Sequence, residues 1–112
     1  MSLDITLTAL RPTTVWAENI THNLTIMARA VKVSNTTLYT VLWYPEKLGL
    51  KTGGDILPYL LVGLSMLMIF PEEYKQHNPS NGWGDYNNLV EFVTTYIIAC
   101  TEYPDGVIKI SR

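Results

Sequence analysis

The sequence predicts an α+β domain over residues 1–112. A small antiparallel sheet, made of an N-terminal hairpin and a C-terminal strand, packs against three or four helices. Period-2 alternation of apolar and polar residues marks the start of the chain, a turn signal precedes a short strand at its end, and 3/4 spacing marks its middle. Hydrophobic residues make up 47% of the 112, which suits one core without disulfides or a metal.

In the first strand Leu3, Ile5, Leu7 and Ala9 alternate with Asp4, Thr6 and Thr8. Arg11-Pro12-Thr13 is a turn, because proline presets the backbone angle needed there. Thr14–Glu18 reads as the return strand. Pro104-Asp105-Gly106 is a second turn signal, and Val107–Ser111 follows as the strand that joins the hairpin.

Asn19 or Thr21 can cap a first helix with Leu24, Met27, Ala28 and Val31 on its apolar side. Ser34–Thr37 is a polar break. A short helix through Leu38, Val41 and Leu42 ends at Tyr44-Pro45, since a residue before proline avoids the α region. Asp55 can cap a third helix with Leu57, Leu60, Leu61, Leu64, Leu67 and Met68 in one stripe. Its other side carries Tyr59, Val62, Met66 and Ile69, so this helix is expected either at the centre of the fold or in a homo-oligomer interface. Asn78–Gly84 is a loop. Asp85 can cap the last helix, whose stripe is Leu89, Phe92, Val93, Tyr96, Ile97 and Cys100.

Composition removes several classes of function. Eight basic and ten acidic residues, with no basic cluster, argue against gripping bulk nucleic acid. The uncharged run Ile56–Phe70 falls short of the ~20 residues a spanning helix needs, so no membrane role is expected. The N-terminus has no basic segment followed by an apolar one, so a non-secreted chain is expected. The sequons at Asn19, Asn23 and Asn35 then carry no glycosylation. One cysteine excludes an internal disulfide and a thiolate-rich zinc site, and His22 and His77 lack metal-ligand spacing. Neither a metal nor a cofactor is expected.

Two segments could carry chemistry. Asn19-Ile20-Thr21-His22-Asn23 places a histidine, a potential acid or base, among polar groups at a strand-to-helix junction. The plainer explanation makes Asn19 and Thr21 caps and His22 an ordinary first-turn residue. In Gly82–Asn88, glycines before a helix N-terminus free N–H groups for an anion, and Trp83 and Tyr86 offer rings for stacking. The segment lacks any Lys or Arg, and a structural turn with Trp83 folded over the core is favoured. Cys100 lies on an apolar stripe near a helix C-terminus and reads as a small buried hydrophobe, so no catalytic residue is assigned. If a ligand binds, His22, Asn23, Trp83, Tyr86 and Asn87 are the expected contacts, provided the two segments adjoin.

The runs Asn19–Ala28, Leu42–Glu46, Asn78–Tyr86 and Ala99–Asp105 resemble a family of small uncharacterised bacteriophage and prophage proteins. The resemblance spans nearly the whole chain and supports one intact domain, although Leu60–Phe70 is more apolar here than in the family. It brings no catalytic residue with it. It implies a cytoplasmic accessory protein of an infected bacterium, and many such proteins disarm host immunity by binding a defence protein or by sequestering a nucleotide-like signal. The leading expectation is therefore a non-enzymatic inhibitor of antiviral defence. The alternatives are a small nucleotide-acting enzyme with His22 as general base, and a virion structural or assembly component.

Overall fold

The computed structural model describes residues 2–9 and 14–112, and the expected Arg11-Pro12-Thr13 turn lies outside them. Strand β1 (Ser2–Thr8) is central. It pairs antiparallel with β2 (Thr14–Thr21) on one side and with β5 (Val107–Ser111) on the other, giving the order β2-β1-β5. The alternation in β1 explains the orientation of the sheet. Leu3, Ile5 and Leu7 are fully buried, while Ser2, Asp4 and Thr6 turn to the opposite, more polar face. The α+β class, with both ends of the chain in one antiparallel sheet, is the architecture observed.

The middle of the chain forms α1 (Thr25–Ala30), a two-stranded ribbon of β3 (Lys32–Val33) and β4 (Thr36–Thr37), and α2 (Leu38–Trp43). It continues through α3 (Gly53–Ile69) and α4 (Pro71–Lys75) to α5 (Tyr86–Glu102). There are thus five α-helices among the described residues, where three or four were expected. The extra one arises at Phe70-Pro71. Phe70 leaves the helical region (φ -121°, ψ 53°) and Pro71 opens a new short helix, the first-turn position proline tolerates best. The polar stretch Ser34–Thr37 is a tight ribbon turn, with Ser34 at φ 56°. One core joins β1 and the end of β2 to all five helices.

Helix α3 departs from expectation in two ways. Its N-cap is Thr52, with Asp55 in the third helical position completing a reciprocal capping box. The hydroxyl of Thr52 accepts from the Asp55 N–H (3.3 Å), and the Asp55 carboxylate accepts from the N–H groups of Lys51 (3.0 Å) and Thr52 (3.2 Å). Its buried face is Gly53, Ile56, Leu60, Gly63 and Leu67, and Leu61, Val62, Met68 and Ile69 face outward. The helix lies at the side of the fold, not at its centre.

The capping box yields a pH prediction. Backbone hydrogen bonds from Lys51 and Thr52 hold the Asp55 carboxyl below its ordinary value of 3.8. The unfolded chain therefore binds this proton first. The contribution of Asp55 to stability is complete above that ordinary value and is lost as pH falls through the lower folded value. Urea midpoints measured at descending pH should fall more steeply for the wild-type chain than for Asp55→Asn. Equal slopes would show that the box contributes nothing. Thr52→Ala should cost about 1 kcal/mol at neutral pH.

Candidate functional site

Strand β2 ends at Thr21, whose hydroxyl accepts from the Asn23 N–H (3.2 Å) and side-chain amide (3.1 Å), capping a 3-10 turn over His22–Leu24. Asp85 caps α5 as its sequence position suggests, exchanging 2.9 Å hydrogen bonds with Asn88 in a second capping box. The two segments meet at Gly84. A Cβ added there would lie 2.7 Å from Thr21 Cγ2 and 3.3 Å from Leu24 Cδ1.

The five expected contact residues take different positions around this junction. His22 turns inward toward Trp43 (ring centroids 6.1 Å apart), and its Nε2 is buried without a partner among the described residues. The Asn23 side chain is engaged with Thr21. Trp83 is 68% exposed, so it is not folded over the core as the favoured sequence reading had it. Tyr86 is only 7% exposed and donates its hydroxyl to the Leu67 carbonyl (2.5 Å), tying α5 to α3 as a core residue. Asn87 is exposed on the first turn of α5.

Beside the junction, a groove runs between β2 and α5. Its first part, about 340 Å³, is lined by Glu18, Asn19, Thr21, Gly84, Glu91 and Phe92 among others. A second part of about 260 Å³ shares Glu18 and Thr95 with the first and extends past Trp16 and Ile98 to Glu102. None of the five expected contacts lines either part. Trp16 stacks on Tyr96 (4.7 Å, 14°), and Tyr96 meets Phe92 edge-on (6.1 Å), giving the groove an aromatic floor.

The walls of the groove are acidic. Register pairs Glu18 with Ile5, which puts this carboxylate on the core-facing side of β2, between Trp16 and Ile20. Glu91, Thr95, Ile98 and Glu102 follow 4/3/4 spacing along one face of α5. Among the described residues no Lys or Arg lines either part, and none of the three glutamates joins an ion pair. The signal available in the sequence was the carboxylate interrupting the Trp16-x-Glu18-x-Ile20 face, together with two glutamates eleven residues apart on α5.

Two amides at the start of α5 are engaged, Tyr86 N–H by Asn78 (2.8 Å) and Asn88 N–H by Asp85, so an anion there would face a carboxylate beside occupied donors. Burial pushes the Cys100 thiol up to about 12 and raises the Tyr96 hydroxyl above its ordinary value, so neither is a ready nucleophile or acid at neutral pH. Among the described residues no group of three or more His, Cys, Asp and Glu side chains could hold a metal ion, and no helix is long and apolar enough to cross a membrane. Comparison with protein-family models, with curated proteins and with solved structures gives no match.

Proposed function

We propose that the protein is a non-enzymatic binding protein, an accessory factor of phage or prophage origin that inhibits bacterial antiviral defence in the host cytoplasm by engaging a host protein. The observation that carries the binding mode is the β2–α5 groove, with three carboxylates and, among the described residues, no cation along it. A phosphate-bearing nucleotide would be repelled there, and like-charge contacts of this kind cost several kcal/mol. A basic protein surface would be attracted. That favours a host-protein target over a sequestered nucleotide signal. The phage origin and the anti-defence role come from the sequence resemblance alone.

The test is phage plating on a panel of hosts, each carrying one defence system, with and without the gene. Rescue of plating in at least one host is the expected result, and no rescue in any host overturns the role. The virion-component alternative predicts the protein in purified particles. The enzyme alternative predicts turnover of a nucleotide that His22→Ala abolishes.

The chain is further proposed to pair with a second copy of itself through the outer face of α3. Leu61, Val62, Met68 and Ile69 stand exposed there, and no charged residue of the helix lies between Ile56 and Pro71.

A further inference from the structure

The two edges of the sheet differ. The outer side of β5 is partly closed at its start. Val107 bridges to Thr52, and the Ile108 N–H donates to the Lys51 carbonyl (2.9 Å). Strand β2 ends the sheet on the other side, and among the described residues no strand pairs with its outer edge. Every second residue of such an edge turns its N–H and C=O groups outward, ready to pair with another chain. The acidic groove lies under this same edge.

We infer that the outer edge of β2 receives an extended, basic segment of a partner protein, added to the sheet as one more strand. This rests on the reading that the protein acts by binding another protein, and it names the mode and the chemistry of the contact. A strand laid beside β2 directs alternate side chains to the α5 side of the sheet, over the groove. There they meet two kinds of surface. The floor of Trp16, Phe92 and Ile98 is apolar, and Ile98 is 53% exposed. The rim carries Glu18, Glu91 and Glu102. Lysine or arginine at alternate positions fits both, its methylene stem covering the apolar floor and its head reaching a carboxylate. From Glu91 to Glu102 the helix rises about 16 Å, the length of roughly five residues of extended chain. The intervening positions of the added strand lie on the outer face of the sheet, beside Ala17 and Asn19 of β2, and require no charge.

The inward-facing Glu18 also gives the edge its selectivity. A charged side chain on the core side of an edge strand discourages indiscriminate pairing, because an apolar strand laid there would bury an unpaired carboxylate. A basic strand neutralises it. The same residue thus opposes self-aggregation through β2 and admits a cationic partner.

The test uses the whole chain, isotopically labelled, and a peptide of alternating lysine and threonine about seven residues long. The peptide should slow amide exchange at alternate residues of Thr14–Thr21 and shift the resonances of Glu18, Glu91 and Thr95. Its affinity should fall with added salt and drop more than about tenfold in Glu18→Lys/Glu91→Lys, a pair of exposed positions whose replacement leaves the thermal melt near that of the wild-type chain. Absence of binding, equal binding of the alternating glutamate–threonine peptide, or binding that leaves β2 exchange unchanged would each overturn the inference. The plating assay separates the two levels. If the gene rescues plating and the double variant rescues equally well, the groove is not the contact and the anti-defence reading stands. If the gene rescues nothing while the peptide still protects β2, the strand-addition mode stands and the anti-defence reading fails.

Discussion

Leu60→Ala should lower stability by about 2–5 kcal/mol, while its neighbour Leu61→Lys should change it by no more than about 0.5 kcal/mol. The two leucines are adjacent in sequence but about 100° apart around the helix, which puts one inside and one outside. Leu60 is fully buried in the core, and Leu61 is 48% exposed on the outer face of α3. Truncating Leu60 removes apolar contacts and leaves a cavity walled by close-packed neighbours, and a domain of this size should lose about 8–20 °C of Tm. Leu61→Lys places a charge on the outer apolar face. Its stability is best read below the concentration at which the wild-type chain self-associates, because assembly adds apparent stability by mass action. In light scattering at high concentration the wild-type chain should run as a dimer and Leu61→Lys as a monomer. A large stability loss in Leu61→Lys would mean that α3 is rotated from the orientation described. A wild-type monomer at high concentration would end the self-pairing proposal.

That pair of leucines also shows where sequence reading reached its limit. Strand β1 was legible because Leu3, Ile5 and Leu7 contrast with polar neighbours, and contrast is what periodicity measures. The start of α5 was legible because Asp85 precedes an apolar stripe, and the stripe itself is buried at Leu89, Phe92, Val93, Tyr96 and Cys100. In α3 almost every side chain is apolar, so no face stands out. The buried face was hidden further by its glycines. A Cβ on Gly63 would lie 2.9 Å from Leu38 Cδ1, so the glycine marks a close approach to α2, whereas a scan for large apolar residues passes over it.

Two aromatic rings were misjudged for a related reason. Trp83 and Tyr86 differ in environment because a three-residue step from loop into helix carries the chain from solvent to core, and residue type does not encode that step. The hydrogen bond from Tyr86 to the Leu67 carbonyl is a contact 19 residues apart in sequence, invisible to local patterns. The groove is harder still. Its walls come from β2 and α5, and only tertiary packing brings Glu18 beside Glu91 and Glu102. What the sequence did show was that the Thr21 and Gly84 segments both carry capping chemistry, and these two are in contact.

The contact between them can be measured. Gly84→Ala should cost about 2–4 kcal/mol, through two separable effects. Gly84 sits at φ 93°, a conformation that side-chain-bearing residues rarely adopt, and its added Cβ would overlap the Thr21 methyl at 2.7 Å. Gly82 supplies the control. It has φ 74° and nothing within 4 Å of an added Cβ, so Gly82→Ala should show the backbone cost alone, about 1–2 kcal/mol. Thr21→Ser supplies the second control, keeping the hydroxyl that caps the turn at His22 and removing the methyl that clashes. In that background Gly84→Ala should cost about 1–2 kcal/mol less, close to the Gly82→Ala value. Urea denaturation of the four single and double variants closes the cycle. An unchanged cost in the Thr21→Ser background would show that the loop gives way freely and that the upper end of the groove is not held by this contact. A recovered cost would show that β2 and the start of α5 are locked together, which is the rigidity a groove between them needs in order to present Glu18 and Glu91 at fixed separation to an incoming strand.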